Sequence, residues 1–296
     1  SDIDFLKLVR SSDIDIAIDC NGLTHLNRIQ ALKARCAPIQ ISWLGYCNTI
    51  GIKTMDYIIA DPHLIKLKER NLYSEKIIYM PKIWSVMSNI KNLPKVNKLP
   101  VKNNSVFTFG SFNNFKKISD EAIVVWSKIL NESNSRLILK SSSKVFEDTF
   151  VNLKKRFTNH LKDLNKIIFL DKISEKKHHL KEYNKIDLAL DTFPYPGVTT
   201  SFESILMGVP VLTMKGFNFN SRCGESINSN LEMKEFIAEN NDDYFSRAIN
   251  ITKNINNLSN IRESLRQKAL KSSLFDVGTF TSDFSFILKK INQEIQ

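Results

Sequence analysis

The stretch Ile186–Thr213, IDLALDTFPYPGVTTSFESILMGVPVLT, holds the residues best placed to do chemistry. A buried apolar strand ends at Asp191, a sharp turn containing Pro194, Pro196 and Gly197 follows, and a helix is expected to begin near Thr200. A helix N-terminus at the carboxyl edge of a parallel sheet is an anion site, because its open amides and its dipole both favour negative charge. Gly197, Thr199 and Thr200 are then the residues that would hold a diphosphate or a sugar. The same letters also fit a plainer purpose. Thr200-Ser201-Phe202-Glu203 has the spacing of a capping box, in which threonine and glutamate close the helix's own end. Spacing alone leaves both readings open, and Glu203 shares the ambiguity between box partner and sugar-hydroxyl acceptor.

Three further segments carry polar groups at strand ends. In FTFGSFNNFKKISDE, Phe107–Glu121, a strand stops at Gly110, and Asn113, Asn114, Lys116 and Lys117 precede a helix capped by Ser119. A lysine there can neutralise charge on a departing diphosphate, although most surface lysines are simply solvated. In DKISEKKHHLK a strand ends at Leu170 and Ser174 is expected to start a helix, which puts Lys176, His178 and His179 where a nucleobase could stack or hydrogen-bond. A solvated helix face would read the same way. Nothing else at metal-ligand spacing joins the two histidines, so no zinc site is expected. In IDCNGLTHLNR, Ile18–Arg28, a strand, an Asn-Gly turn and a helix are expected, with His25 as a conceivable base beside the turn. ISWLGYCNTIG, Ile41–Gly51, adds a flexible strand-end loop. Dinucleotide, Walker and nucleophile-elbow fingerprints are all missing, which argues against dehydrogenases, P-loop NTPases and α/β-hydrolases.

Positioning these groups requires parallel sheets. Short apolar, β-branched runs recur at Ile14–Asp19, Ile39–Leu44, Tyr57–Ala60, Lys76–Met80, Val106–Phe109, Arg136–Lys140, Lys166–Leu170, Asp187–Leu190 and Val209–Met214, with helical periodicity between many of them. Continuous apolar strands alternating with helices indicate an α/β chain of doubly wound type. A polar, Pro- and Lys-rich stretch from Pro81 to Pro100 marks the expected boundary, giving domains at 1–95 and 96–296, with Thr279–Ile295 as a closing helix of the second. At 296 residues the chain has room for two cores. The first domain is short for a doubly wound fold. The chain opens on Ser1 directly into a helix, so we expect a fragment whose missing strands lie upstream. The net charge of +11 is scattered along the chain and forms no arm or stripe, so nucleic acid is not an expected partner. Four cysteines without a CxxC pair fit a reduced compartment. With neither a signal core nor an apolar run of membrane-spanning length, a cytoplasmic protein without membrane contact is expected.

Taken in order, DIAIDCNG, APIQISWLGY, MDYIIAD, YSEKIIYMP, FGSFNNFKKI, the Ile186–Thr213 block and SRCGES resemble the catalytic region of O-GlcNAc transferases and SPINDLY-type protein O-glycosyltransferases. The resemblance runs over nearly the whole chain. It implies a GT-B fold of two Rossmann-like domains, the first partial, with the donor nucleotide in the C-terminal one. The implied reaction is inverting transfer of a sugar from a nucleoside diphosphate to Ser or Thr of a protein, with no metal and no cofactor beyond the donor, UDP-GlcNAc or GDP-fucose. Carried over by position, Lys117 supports the leaving diphosphate, Asn114 contacts the donor, and Lys176 and His179, following Ser174, lie near the nucleoside. Thr199 and Thr200, after Gly197 and Val198, form the phosphate-binding helix start, and Glu203 meets the ribose. The chain departs from the family at Val198, where many members carry His or Gly, and at Leu23, which takes a histidine position. The N-terminal acceptor-side segment and the TPR superhelix of the family have no counterpart in the sequence, and no catalytic base is assigned. Donor binding is therefore expected to be better preserved than transfer, and the rival readings are a nucleotide-sugar-binding module without turnover and a transferase acting on polysaccharide or glycolipid.

Overall fold

The computed structural model describes residues 1–88, 91–141 and 147–293. Two compact units divide the chain: one takes Ser1–Val86, Asn218–Asn220 and the closing segment from Asp276, the other Met87–Phe217 and Ser221–Phe275.

In the first unit, helix α1 (Asp2–Ser11) is followed by β1 (Ile16–Asp19), α2 (Ile29–Lys33), β2 (Ile39–Ser42), β3 (Tyr57–Ala60) and β4 (Lys76–Tyr79). The strands are parallel and lie in chain order, β1-β2-β3-β4. β2 is buried along its whole length although it reads Ile39-Gln40-Ile41-Ser42, and the buried Gln40 amide is satisfied by accepting from the Cys36 amide and donating to the carbonyls of Leu32 and Thr54. Leu32, Cys36, Ile50 and Met55 form the core on one side, and a second core gathers Ile39, Ile41, Ile59 and Met80. Against that second core packs the closing helix, Val277–Gln293, through Phe280, Phe284, Ile287, Leu288 and Ile291. This i, i+4, i+7, i+8, i+11 series is a single helical stripe. Ile291, nearly fully buried, stabilises the unit by roughly 1.5–3 kcal/mol, and the partly buried Phe280, Phe284, Ile287 and Leu288 contribute less each.

The division differs from the expected one in two ways. The closing helix belongs to the first unit, not the second; residues 294 and 295 of its expected span lie outside the described residues. The stretch from Met87 belongs to the second unit, so the boundary falls after Val86 instead of residue 95. The polar segment before Pro100 is no free linker, because arginines of a later helix grip its backbone: Arg262 donates to Asn97 O (2.9 Å) and Arg266 to Pro94 O (2.8 Å).

The second unit runs α3 (Val101–Asn104), β5 (Phe107–Ser111), α4 (Asp120–Glu132), β6 (Ser135–Lys140), α5 (Glu147–Phe157), β7 (Ile167–Leu170), α6 (Lys176–Lys181), β8 (Leu188–Leu190), α7 (Thr199–Leu206), β9 (Val211–Met214), α8 (Cys223–Asn230), β10 (Ile237–Ala238), α9 (Asn241–Lys253) and α10 (Ile255–Leu270). Each strand expected from the apolar runs is present, with its ends moved by at most two residues, and β10 is additional. The strand order is β10-β9-β8-β5-β6-β7, every pair parallel. The chain winds outward from β5 to β7, crosses back, and winds outward the other way from β8 to β10. β5 and β8 are therefore neighbours, with Phe109 beside Leu188, and their onward connections diverge. Such a reversal opens a crevice at the carboxyl ends of the two strands. No helix among the described residues is long and apolar enough to cross a membrane.

Candidate functional site

At that crevice the ends of β5 and β8 are tied by side chains. Asp191, just past β8, is 1% exposed. Its Oδ1 accepts from the Gly197 amide (2.7 Å), the Thr192 amide (3.0 Å) and Asn113 Nδ2 (3.2 Å), and its Oδ2 accepts from Thr213 Oγ1 (2.9 Å). Burial pushes this carboxyl up to about 6, against the opposing pull of the Gly197 amide, Thr213, Lys117 and Asn113. The 191–197 turn is thus wrapped around a buried acid. Gly197 is needed where it stands: a Cβ there would run into Thr200 Oγ1 and lie 2.8 Å from Asn113 Oδ1.

α7 begins at Thr199, with Val198 as N-cap and no side chain closing its end. The expected capping box does not form. Thr200, already inside the helix, turns its hydroxyl to Asn113 Oδ1 (2.8 Å), and Glu203 is drawn away from the helix end by other partners. The amides of Ser201 and Phe202 both reach Val198 O. Those of Thr199 and Thr200 have no protein acceptor among the described residues, so the end of the helix keeps two open donors and its dipole.

Lys117 and Asn114 come to the same edge. Asn114 Oδ1 accepts from the Lys116 amide (3.0 Å) and caps the single helical turn Phe115–Lys117. That turn separates the two lysines: Lys116 is exposed, while Lys117 is half-buried, donating to Pro196 O (2.9 Å) with its ammonium 3.8 Å from the centroid of the Tyr195 ring. Ser119 caps α4 by accepting from Ala122 and also donates to Phe193 O (2.6 Å), which pins the turn to α4.

On the other flank Glu203 is almost fully buried. It is ion-paired with Lys176 and bonded to His179 Nε2 (2.9 Å) and Tyr183 Oη (3.3 Å). Burial alone would raise this carboxyl; the bonds from His179 and Lys176 outweigh it and hold the group below its ordinary range. His179 Nδ1 lies 2.7 Å from Nζ of Lys140, a lysine 1% exposed at the end of β6 and lowered in pKa by its burial. Both ring nitrogens of His179 are therefore engaged by protein. Ser174 does not start the helix: α6 begins at Lys176 after Glu175, and Ser174 lies exposed ahead of it. His178 is exposed and pairs with Glu175.

The structure thus brings Asn114, Lys117, Gly197, Val198, Thr199 and Thr200 to one edge, with Glu203, Lys176 and His179 beside them. In the first unit, the helix expected after the Asn-Gly turn is only α2, starting at Ile29. His25 lies in the loop before it, its ring without a hydrogen bond among the described residues. Lys140, Tyr183 and Tyr195 are not singled out by the sequence, and Asn113 and Asp191 are marked there only as polar residues at strand ends, with no role in tying the turn. A carboxylate or lysine closing an otherwise apolar strand, as at Asp191 and Lys140, is the signal that marks two of them.

A cavity of about 440 Å³ at the ends of β8 and β9 shares Phe193 and Pro194 with the turn, but Lys117, Thr200 and Glu203 do not line it.

Comparison with known proteins gives a consistent outcome. A model of glycosyl transferase family 41 matches residues 6–105 and 97–284. The chain is 34% identical over 290 residues to a protein of Eustoma exaltatum subsp. russellianum named probable UDP-N-acetylglucosamine–peptide N-acetylglucosaminyltransferase SPINDLY, and 32% identical to the protein of the same name from Solanum lycopersicum. Each match covers 96% of this chain but 31% of the relative, so the chain spans about a third of the length of these relatives. A solved mutant O-GlcNAc transferase of Thermobaculum terrenum superposes with a TM-score of 0.92 at 28% identity, covering 100% of this chain and 56% of that one. HepE from Anabaena, solved in complex with UDP, superposes at 0.61 and 12% identity over 98% of this chain and 82% of its own, a likeness of fold alone.

Proposed function

The chain belongs to glycosyl transferase family 41 and has its α/β, GT-B fold, and from that premise we propose that the second unit binds a nucleoside diphosphate sugar and that the protein transfers the sugar to Ser or Thr of a protein, with inversion. The observation that carries the reading is the end of α7, where the open Thr199 and Thr200 amides stand beside Lys117 at the β5/β8 crevice. Two aligned amides, a helix dipole and one ammonium suit a diphosphate.

In this reading the acceptor oxygen bonds to the anomeric carbon as its proton leaves, and the bond to the diphosphate breaks on the opposite face. The negative charge that develops on the departing diphosphate meets the Lys117 ammonium and the α7 amides, groups fixed before the reaction starts. Gly197 and Val198 shape the approach to those amides, and Asn114 holds the Lys117 turn in place. Glu203 takes the ribose, with Lys176 giving up one carboxylate oxygen. Lys176 is the partner able to move, since its side chain is 50% exposed and that of Glu203 only 4%. His179 and the segment from Ser174 flank the nucleoside. The relatives' names favour UDP-GlcNAc as donor, and GDP-fucose is the competing candidate.

Calorimetric titration of the chain with UDP-GlcNAc, UDP, GDP-fucose and GDP tests this. Binding of one nucleotide family, weakened by Thr200→Val, is the expected result, and sugar transfer to a peptide carrying Ser or Thr completes it. Binding without transfer or donor hydrolysis would support a binding module without turnover. Binding of none of the four would remove the reading.

A further inference from the structure

Lys140 ends β6 with its side chain in the interior of the second unit, 1% exposed, a setting in which lysines are rare unless another group takes up their charge or their hydrogens. Its ammonium lies 2.7 Å from His179 Nδ1, and the Phe112 ring stands beside it with its centroid at 5.8 Å. Burial works to strip its proton, helped by Lys172, while Glu182 and Glu203 help to keep it. Lysine is the stronger base of this pair by about 4 pH units in ordinary surroundings, so the shared hydrogen belongs to Lys140 and His179 Nδ1 accepts it. The ring hydrogen of His179 is then on Nε2, from which it is donated to Glu203 Oε2 (2.9 Å).

The two oxygens of Glu203 are thus held differently. Oε2 takes groups from the interior: His179, whose side chain is 12% exposed, and the buried Tyr183, whose hydroxyl lies 3.3 Å away. Oε1 takes Lys176, half of whose side chain is in solvent. A ligand arriving from solvent can displace Lys176 but not His179. What fixes Oε2 depends in turn on Lys140. If Nδ1 loses its donor, a buried ring nitrogen goes without a partner, and the ring must turn to find another or take up a second hydrogen as imidazolium. Turning breaks the bond to Oε2, and an imidazolium draws the charge of the carboxylate onto itself. Either change makes Glu203 a poorer acceptor for a hydroxyl group.

We propose that Lys140 is a positioning residue for the ribose of the donor: it locks His179 with its hydrogen on Nε2, and His179 holds Glu203 by Oε2, so that Oε1 is the oxygen offered to the ribose hydroxyls. This rests on the reading of Glu203 given above. In this role Lys140 touches no part of the donor.

Two measurements on the whole chain test it. The first is the side-chain nitrogen NMR spectrum of histidine-labelled protein at neutral pH, with the His179 signals identified by their loss in His179→Gln. A ring with its single hydrogen on Nε2 is expected in the unaltered chain. In Lys140→Met, which fills the same space without donors, imidazolium or a mixture of the two neutral forms is expected to replace it. The second compares the affinities of UDP and GDP with those of their 2′,3′-dideoxy forms. The unaltered chain should prefer the ribose form of whichever nucleotide it binds by about tenfold, the worth of a hydrogen bond to a charged group. Lys140→Met should bring that preference down to about threefold or less, while the dideoxy form binds as before. A His179 ring with a hydrogen on Nδ1 in the unaltered chain would overturn the proposal and needs no variant to fold. So would a Lys140→Met chain that keeps the full preference, or that loses affinity for both forms equally, either of which leaves the Glu203 reading intact. An unaltered chain with no preference for the ribose form, or one that binds neither nucleotide, would overturn both.

Discussion

The two units are built from the same strand–loop–helix vocabulary, yet they treat the donors at their strand ends in opposite ways. In the first unit, acids consume them. Asp19 accepts from the amides of Asn21 and Gly22 (3.2 and 2.8 Å), Asp61 from those of His63, Leu64 and Trp84, and Glu75 from the amide of Ile50 (2.6 Å) and the hydroxyl of Thr49 (2.7 Å). The acids close these loops or tie them to one another, and strands laid down in sequential order have no point of reversal. In the second unit the sheet reverses between β5 and β8, and its buried acid, Asp191, takes the Gly197 amide but leaves those of Thr199 and Thr200 open. A strand-end acid can thus seal a loop or, by bending the turn around itself, present a helix end.

The largest effect expected from this contrast is at Lys117. Lys117→Ala should lower the rate of sugar transfer by about 10²–10³-fold, the usual loss when one fixed donor to developing charge is removed. A steady-state comparison with Lys116→Ala, the exposed neighbour, checks it, since that change should leave the rate within about twofold. Equal losses from the two lysines would mean that general positive charge, not the fixed site, is at work. Next in size is the buried acid. A rise from 3.8 to about 6 means that the folded state binds the Asp191 proton more tightly than the unfolded one. Its contribution to stability is therefore fully present below about pH 4 and is lost as pH rises through about 6, by up to about 3 kcal/mol. Asp191→Asn keeps an acceptor for Gly197 and does not titrate. The melting temperature of the unaltered chain minus that of Asp191→Asn should fall between pH 4 and pH 7; a flat difference would show that the fold leaves this pKa unshifted, and a rising one that the acid is stabilised as its anion.

Much of this was legible in the sequence because burial writes itself as apolar runs. Every strand but the two-residue β10 could be read that way, and the helix start after Gly197 followed from the proline turn. What stayed hidden depends on which neighbour wins a shared group. The Thr200–Glu203 spacing satisfies a capping box locally. Asn113, His179 and Lys176 arrive from segments far off in sequence and take both side chains first. The closing helix shows the same limit: its stripe of Phe280, Phe284, Ile287 and Ile291 declares a buried face but not which sheet receives it. Lys117 was separable from Lys116 only through the family resemblance, since a single helical turn decides which of two adjacent lysines faces the crevice.

Glu203 offers a sharper cut within the second unit. Glu203→Gln keeps the shape of the side chain but removes the charge that holds Lys176 and His179. If the carboxylate takes the ribose, donor affinity should fall about tenfold, the worth of one charged hydrogen bond, while the transfer rate at saturating donor holds. A fall in that rate with affinity unchanged would move Glu203 from donor binding to the chemistry itself.

The smallest expected effect tests the other side of the contrast. Asp19 in the first unit seals the Asn-Gly turn, where Gly22 sits at φ +54°, a conformation glycine adopts without strain. Asp19→Ala leaves two amides to water at a partly exposed site, which should cost about 1 kcal/mol and lower the melting temperature by only a few degrees. Nucleoside diphosphate affinity should not change, because sealing a loop is all this acid does. A severalfold loss of affinity in Asp19→Ala would break the comparison, since it would mean that the first unit's sealed loops take part in holding the donor.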